Sequence, residues 1–407
     1  MPADRLNAIS TNPPGAGAYR GVLFASIWAF TGFGATFTVT GPLLQPIRET
    51  FGRGQAEMGL VFLVTAFAYI VSVCAGTAAS DHYGRRPFVL AAPMLIVLGF
   101  LVAAVSPGWI VFLAGAYIFG SGMGLIDGLL NALAIDVAPR TTASTLNYLH
   151  LFFGVGAVVG PLIIGVGLEA GVHWRVITGA TALLAITMFL PYLFVRFPPK
   201  VQTVRPPFRT VLATLLRPRP LLMLAVIVFY VGIEGTYNGW LPSYFEIEIG
   251  ASRGIGAYSV AIMWVGIVAG RGLSGLIARH VDHHLLLAAS MGASVLSGLV
   301  VVATSSIPVA FAALLISGTM IGGAFPTALA IGVRGQRAMV GALTGFIVAG
   351  AGIAGVIFPP VAGLIVDGVG FRAAMLFTGL LAIPGVAAAL AAYFRRHRDA
   401  SADRSVD

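Results

Sequence analysis

The sequence predicts an all-α polytopic membrane protein in which twelve transmembrane helices form two bundles of six. Three observations support this fold class. Hydrophobic residues make up 58% of the 407 residues, and charged residues only 10%, whereas about a quarter of the residues of a soluble domain are charged. The mean hydropathy is +0.93. The apolar runs also reach about 20 residues, the length of a helix that crosses a bilayer.

The apolar segments form two sets of six, separated by one polar interval. We expect the first set at 21–44, 57–79, 87–105, 109–138, 143–168 and 174–195. The second set is expected at 220–245, 254–278, 284–304, 307–332, 339–366 and 371–394. The interval is rich in arginine and proline and contains no run that could span. We therefore expect an N-terminal bundle at 1–196, a basic cytoplasmic linker at 197–220 and a C-terminal bundle with a cytoplasmic tail at 221–407.

The formal net charge of +9 is explained by membrane topology rather than by a nucleic-acid partner. If both termini are cytoplasmic, 18 of the 24 lysines and arginines lie in cytoplasmic segments and five on the other side. Cytoplasmic loops of membrane proteins carry such an excess. We therefore expect a multi-pass protein of the cell membrane with both termini in the cytoplasm. The first apolar run is too long for the core of a signal peptide and is expected to remain as the first helix.

A carboxylate and an amide, Asp127 and Asn131, lie in the middle of the fourth apolar segment. A charge at this depth costs at least ~3 kcal/mol on insertion scales, and such residues usually mark a proton, ion or substrate pathway. Asp127 and Asn131 are four residues apart and share a helix face, with Gly120 and Gly124 on much the same side. This small, polar face predicts the wall of a cavity, in which Asp127 takes up and releases a proton.

Two polar residues of the fifth segment, Asn147 and His150, are three residues apart and share a face. Like Asn131, they are candidates for hydrogen bonds to the hydroxyl groups of a solute. His150 is also a candidate proton partner, because histidine titrates near neutral pH. Alternatively, Asn147 or His150 holds Asp127 as a purely structural carboxylate, since polar residues often bond to each other between membrane helices.

The seventh segment carries a polar and aromatic stripe around Glu234. Aromatic faces with a few polar groups are typical of sites for small polar ligands. Glu234 is a second candidate for proton coupling, or it forms a fixed ion pair with Arg271 of the eighth segment. Trp240 either joins the stripe or belongs to the interfacial aromatic belt. The candidate substrate-binding residues of this segment are Tyr230, Glu234, Tyr237, Asn238 and Trp240.

Enzyme motifs are not found in the sequence. It contains no His-Glu-x-x-His zinc motif and no Gly-x-x-x-x-Gly-Lys-Ser/Thr phosphate loop. The single cysteine, Cys74, excludes an internal disulfide and a cysteine-pair metal site. We therefore predict a protein that is not an enzyme and has neither a cofactor nor a metal site.

The loop after the second segment, Asp81-His-Tyr-Gly84-Arg85-Arg86, resembles the loop signature Asp-x-x-Gly-Arg-Arg/Lys of major facilitator superfamily transporters. The signature also has a glycine four residues before the aspartate, and this chain has Thr77 at that position. Two six-helix halves joined by a basic linker also resemble this family, whose halves are structural repeats. The resemblance implies the major facilitator fold and alternating access. It also implies a latch at the cytoplasmic ends of the second and eleventh helices, formed by Asp81, Gly84, Arg85 and Arg86, with Asp136 as a third partner.

Three parts of the chain are similar to the fucose permease-like sugar:proton symporters. The first is Gly-x-x-Asp127-x-x-x-Asn131, where that group has a proton-carrying carboxylate, and the second is Leu146-Asn147-x-x-His150-x-x-x-Gly154. The third comprises Phe229-Tyr230-Val-Gly-Ile-Glu234 with Trp240 and Tyr244, then Gly270-Arg271 and Phe325-Pro326-Thr327. The chain departs from the group in its first helix, which has threonines where the fucose permease has a second carboxylate. The resemblance therefore does not extend to a two-carboxylate relay or to fucose as the solute.

These observations together predict a monomeric secondary transporter that takes up a small polar solute, such as a sugar, with protons. One alternative is a proton-driven exporter, because Gly156-Ala-Val-Val-Gly160-Pro161 resembles the antiporter signature Gly-x-x-x-Gly-Pro. The same glycine spacing also suits close packing of helices. A second alternative is a membrane receptor with the same fold that transports nothing.

Overall fold

The computed structural model describes residues 19–138, 141–199, 207–336 and 339–404, almost all of which are helical. Arg5, Arg140, Lys200, Arg205 and Arg337, which entered the charge count, lie outside the described residues. The first half contains α1 Arg20–Phe37, α2 Thr40–Phe51, α3 Gln55–Tyr83, α4 Arg85–Val105, α5 Trp109–Val137, α6 Thr142–Glu169 and α7 Trp174–Phe194. Helix α8, Phe208–Leu215, lies between the halves. The second half contains α9 Pro218–Ile247, α10 Arg253–Ile277, α11 His283–Ala303, α12 Ile307–Ile321, α13 Ala324–Val333, α14 Val340–Gly368, α15 Phe371–Leu380 and α16 Ala382–Arg404.

These helices give the predicted number of membrane spans. Within the described ranges, eleven spans are long and apolar enough to cross a bilayer, and the bent pair α1 and α2 makes a twelfth. Helices α12 and α13 together form one of these spans, and α15 with most of α16 forms another. The predicted all-α fold with twelve spans is therefore confirmed.

The first span is broken, which the sequence analysis did not predict. It was expected as one helix over 21–44, but α1 ends at Phe37 and α2 begins at Thr40, with a bend of 40° between their axes. The Thr38 hydroxyl donates to two carbonyl oxygens of the last turn of α1, at 3.1 and 3.3 Å. Threonine side chains that bond back to the helix in this way often bend it. The apolar run continues across the break, so hydropathy alone does not reveal it.

Glycines on α5 allow it to pack directly against the backbone of α3. A Cβ atom at Gly120 or Gly124 would overlap the carbonyl oxygen of Thr65 or Tyr69, respectively. Small residues permit such close approach of membrane helices. The prediction that these two glycines line a cavity is therefore wrong: spacing along a helix shows which residues share a face, but not what that face contacts.

The Gly156-x-x-x-Gly160 pattern of α6 also contributes to helix packing. A Cβ atom at Gly156 would overlap the carbonyl oxygen of Thr31, and one at Gly160 would lie 2.7 Å from that of Ala35. Both carbonyl groups belong to α1. These contacts account for the glycine spacing that resembled the antiporter signature.

The halves meet along two seams, one between α6 and α10 and the other between α3 and α14. We call the membrane face where α1 begins and α8 lies the terminal face, and the other the opposite face. Polar contacts join the halves near the opposite face. They pair Gln45 Nε2 with Ser243 Oγ at 2.8 Å, Arg253 Nη2 with Glu49 Oε1 at 2.6 Å, and the Gln55 backbone nitrogen with Asp367 Oδ1 at 3.2 Å.

The seam between α6 and α10 opens toward the terminal face. At mid-depth, a Cβ atom at Gly154 would lie 2.5 Å from Val268 Cγ2 of α10. Two helical turns nearer the terminal face, Asn147 lies on the same side of α6 and is exposed. The corresponding position on α10 is Gly275, where a Cβ atom would have no neighbour within 4 Å.

The seam between α3 and α14 opens in the same direction. A Cβ atom at Gly352 would lie 2.7 Å from Ile70 Cγ1. Gly345, two turns nearer the terminal face, has no neighbour within 4 Å of its Cβ position. The space between the halves is thus closed toward the opposite face and widens toward the terminal face.

The described part of the predicted linker contains the short helix α8. Phe208 at its start packs on Phe346 of α14, with ring centroids 5.3 Å apart, so α8 contacts the second half. Helix α9 begins at Pro218, slightly before the predicted start of the second bundle at residue 221.

Candidate functional site

Asp127 lies at mid-depth on α5, and its side chain is partly buried. The Tyr69 hydroxyl of α3 donates a hydrogen bond to Oδ2. Asn131 Nδ2 donates to Oδ1 at 2.7 Å and to the Asp127 backbone oxygen at 2.9 Å. The partners of the carboxyl group are therefore Tyr69 and Asn131. The alternative partners suggested by the sequence, Asn147 and His150, do not make these bonds.

Tyr69 is a site residue that the sequence analysis missed. It lies in the second apolar segment, on the side of α3 that packs against α5. A tyrosine hydroxyl in an apolar helix needs a hydrogen-bond partner when it is buried. That requirement was the available signal, but it did not identify Asp127 as the partner.

Glu234 of α9 has an arrangement similar to that of Asp127. Its side chain is buried, and the Tyr230 hydroxyl one turn earlier donates to Oε2. Two helices, one in each half, thus present a carboxyl group held by a tyrosine.

Arg271 lies near Glu234 but does not form the predicted direct ion pair with it. Its Nη1 donates instead to the backbone oxygen of His150, across the seam, at 2.8 Å. The guanidinium carbon also lies 5.9 Å from the ring centroid of Trp264. The guanidinium group therefore bonds to α6 of the other half and not directly to Glu234.

His150 lies where the two halves approach each other at mid-depth. Its ring packs edge-on against Phe30 of α1, with centroids 5.5 Å apart, and lies 6.4 Å from the Phe325 ring of α13. The His150 side chain is partly buried, whereas Asn147 is exposed where the seam has opened. The structure therefore places both residues along the inner side of α6, with Asn147 closer to the terminal face.

Asn238 joins the halves at the level of the break in the first span. Its Nδ2 donates to the Phe37 backbone oxygen at 3.3 Å, and its Oδ1 accepts from Trp264 Nε1 at 3.4 Å. The Asn238 side chain is buried in the closed part of the interface.

Tyr237 and Trp240, both predicted to bind substrate, are directed elsewhere. The Tyr237 hydroxyl lies 3.0 Å from the position of a Cβ atom at Gly298 of α11, inside the second bundle. Trp240 is fully buried, and its Nε1 donates to the Pro359 backbone oxygen at 2.9 Å. Their predicted role is therefore not supported in this conformation. The polar and aromatic stripe predicted around Glu234 therefore includes residues that lie outside the face of α9 that meets the other half.

Arg85 connects three helices at the terminal face of the first half. Its Nη1 lies 2.7 Å from Asp81 Oδ1 of α3, and its Nε lies 2.7 Å from Asp136 Oδ2 of α5. Gly84, just before α4, has φ +92°, a conformation that other residues avoid. Four of the predicted latch residues thus meet, whereas Arg86 is exposed. The contacts of Arg85 lie within the first half and do not reach the eleventh span.

Comparisons with known proteins agree with this architecture. A sequence model of the Major Facilitator Superfamily matches residues 26–342. The sodium-dependent glucose transporter 1A of Mus musculus is 21% identical over 374 residues, which cover 83% of this chain and 88% of the relative. The hexuronate transporter of Bacillus subtilis is 25% identical over 376 residues, covering 86% and 88%.

Solved structures show the same fold at low sequence identity. A bacterial homologue of the human lysosomal transporter Spinster superposes with a TM-score of 0.78 and 14% identity, covering 91% of this chain and 96% of that one. The E. coli fucose:proton symporter superposes with a TM-score of 0.64 and 19% identity, covering 92% and 99%. The resemblance drawn from the motifs of this chain is thereby confirmed.

Proposed function

The chain belongs to the Major Facilitator Superfamily, whose members are transporters and not enzymes, and from this premise we propose that it takes up a small polar solute, of the sugar class, together with protons. The observation that carries the proposal is the placement of Asp127. It is a partly buried carboxyl group at mid-depth whose hydrogen-bond donors among the described residues, Tyr69 and Asn131, are neutral, and Tyr69 also contacts α14 of the other half. A group of this kind can gain and lose a proton without breaking an ion pair.

The solute is proposed to bind between the halves at the level of Asp127 and Glu234. Asn131, Asn147 and His150 supply polar groups on the first half, and Phe325, which is partly exposed, supplies an aromatic surface on the second. A few polar groups with aromatic walls suit a sugar ring. The glucose and fucose transporters among the comparison proteins support the same class of solute.

Acidic sugars are a second candidate class, and Arg271 favours them. Its guanidinium group lies at mid-depth without a direct ion pair among the described residues, and guanidinium groups bind carboxylates well. The hexuronate transporter among the relatives fits this class.

Transport direction follows from topology in this proposal. If the terminal face is cytoplasmic, as the distribution of basic residues favours, the structure represents an inward-open state. The Gly156 and Gly160 contacts with α1 give this glycine pattern a packing role that does not require export. Uptake is therefore proposed ahead of efflux, and assays in vesicles of both orientations distinguish the two.

The test is transport by the purified protein in proteoliposomes. Labelled D-glucose, D-xylose, L-fucose and D-glucuronate are each offered with an inward pH gradient, an inward sodium gradient or no gradient. We expect one of these sugars to accumulate with the pH gradient, and D-glucuronate to be the one if Arg271 binds a carboxylate. Proton coupling is wrong if accumulation follows only the sodium gradient.

Replacement of Asp127 by asparagine tests the proton site. We expect Asp127→Asn to lower accumulation driven by the pH gradient at least about tenfold, whereas exchange of labelled for unlabelled sugar continues, because exchange moves no net protons. Glu57→Gln is the matched control, since Glu57 pairs with Arg53 at the opposite face. Full accumulation by Asp127→Asn would show that the proton binds elsewhere.

A further inference from the structure

We propose that Tyr69 is a positioning residue that transmits the protonation state of Asp127 to the seam between α3 and α14. This inference rests on the proposed function, because it takes Asp127 as the proton site. It adds the physical link between that site and the movement of the two halves.

Tyr69 contacts both the proton site and the other half of the molecule. Its hydroxyl donates to Asp127 Oδ2 in the first half. Its Cε1 lies 3.6 Å from the position that a Cβ atom would take at Gly352 of α14, in the second half. The neighbouring Ile70 packs on the same glycine. A change in the position of the Tyr69 ring therefore changes the contact between the halves.

The hydrogen bonds of Asp127 determine which oxygen can carry the proton. Asn131 Nδ2 donates to both Oδ1 and the Asp127 backbone oxygen, 2.7 and 2.9 Å away, and an amide nitrogen cannot accept a hydrogen bond. A proton on Oδ1 would have no acceptor in Asn131. It is therefore carried by Oδ2, which faces the Tyr69 hydroxyl.

Protonation on Oδ2 reverses the role of Tyr69. A charged carboxylate only accepts hydrogen bonds, so the Tyr69 hydroxyl donates. Once Oδ2 carries a proton, it becomes the donor, and the Tyr69 oxygen must accept. The hydroxyl hydrogen of Tyr69 then has to turn toward another acceptor or lose its bond. The proton thus changes the preferred position of Tyr69 while leaving the Asn131 bond intact.

The position of Tyr69 along the seam explains how a shift of its side chain could alter the contact between α3 and α14. Among the glycines from Gly345 to Gly368 of α14, Gly352 makes the contact with α3 that lies nearest the terminal face. Two turns nearer that face, the Cβ position of Gly345 has no neighbour within 4 Å. Tyr69 therefore lies at the boundary between the closed and open parts of the seam, where a small displacement alters how far the contact extends.

The ionisable groups on the helices around Asp127 define the controls for a pH response. Helices α3, α4, α1 and α6 pack on α5, and α14 packs on α3. At mid-depth, α6 carries His150, and α3 carries Cys74 about one turn beyond Tyr69. The other ionisable side chains of these helices lie farther from Asp127; they are Arg20 of α1, Glu57, Asp81, His82 and Tyr83 of α3, Arg85 and Arg86 of α4, Tyr117 and Asp136 of α5, Tyr148 and Glu169 of α6, and Asp367 of α14. A response that survives in Asp127→Asn would therefore point to His150.

The experiment measures a distance across the terminal face and requires no solute. Spin labels are attached to Tyr83→Cys of α3 and Arg334→Cys after α13, both exposed positions in different halves, in a Cys74→Ser background in liposomes. We expect acidification to change the ratio of the two distance populations at least about threefold in the otherwise wild-type protein. Asp127→Asn and Tyr69→Phe should each abolish this response. Tyr117→Phe, which alters an exposed tyrosine of α5, should retain it.

The outcomes separate this inference from the proposed function. If Asp127→Asn abolishes the pH response and Tyr69→Phe retains it, Asp127 acts without Tyr69 and the inference is overturned. If Asp127→Asn retains the response, Asp127 is not the proton site, and the proposed function fails together with the inference. Tyr69→Phe keeps the aromatic ring and removes only the hydroxyl group. If this variant loses the pH response but unfolds at the wild-type temperature, the hydroxyl group is responsible and not a packing defect.

Discussion

Charged groups at mid-depth in this protein are satisfied in three different ways. Asp127 relies on two neutral donors, Glu234 on a tyrosine with a more distant arginine, and Arg271 on a backbone carbonyl of the other half. Arg85, at the terminal face, instead contacts two carboxylates directly. The groups at mid-depth are therefore bonded directly to neutral partners, whereas Arg85 is bonded to two carboxylates.

Substitution of Arg85 tests this contrast. Arg85→Gln would remove the cation that bridges Asp81 and Asp136, and loss of one partner of a largely buried ion pair costs on the order of 3 kcal/mol. We expect a clearly lower midpoint of thermal unfolding in detergent. The matched control is Arg86→Gln at the next, exposed position, which should unfold like the wild type. Equal midpoints for the two variants would show that the contacts of Arg85 add little stability.

Helix α11 is stabilised at its start by Asp282. The Asp282 Oδ1 accepts from the backbone nitrogens of His284 at 2.8 Å and Leu285 at 3.4 Å, and Oδ2 lies 2.7 Å from Arg396 Nη1 of α16. Partial burial opposes ionisation, but the hydrogen bonds from His284 and Leu285 outweigh it and hold the pKa of Asp282 below its usual range. One carboxylate thus caps α11 and attaches α16 to it.

The two roles of Asp282 can be separated by substitution. Asp282→Ala should destabilise the protein by about 1 kcal/mol, the usual cost of losing a helix cap, whereas Asp282→Asn keeps a capping oxygen and should cost less. Because the pKa is lowered in the folded state, the advantage of the wild type over Asp282→Ala is present at neutral pH and disappears as the pH falls through that pKa. Unfolding midpoints over a pH series measure this. An advantage independent of pH would contradict the assignment.

The fold and the carboxyl groups could be predicted from the sequence, whereas the helix faces and their partners could not. Hydropathy and charge distribution predict spans because the bilayer imposes a length and a charge cost on each helix. The same cost makes Asp127 and Glu234 conspicuous. Spacing along one helix does not tell which face meets which neighbour, so Tyr69 was missed and Tyr237 and Trp240 were misplaced.

At the scale of the whole molecule, the opposite face is held closed by contacts that include an exposed ion pair. Arg253 of the second half bonds Glu49 of the first half and also Glu246 of its own half. Arg372 bonds Glu248, and both of these belong to the second half. These two arginines lie at the same face, but only Arg253 joins the halves.

This difference allows a matched test of closure. Spin labels on Val172→Cys and Val369→Cys, exposed positions of the two halves at this face, report its opening in a Cys74→Ser background. Exposed ion pairs contribute up to about 1 kcal/mol, so Arg253→Gln should raise the open population about two- to fivefold at low ionic strength. Arg372→Gln should leave it unchanged. If both variants open the face equally, a general loss of positive charge is responsible.

The break in the first span lets one membrane crossing serve both bundles. Helix α1 packs on α6 and α7 of its own bundle, whereas α2 packs on α9 of the other bundle as well as on α3, α6 and α7 of its own. The two segments of the first span therefore contact different sets of helices. If α2 separates from α9, it can turn at the break relative to α1, so the angle between the two helices, 40° here, is expected to change between the two states of the transport cycle.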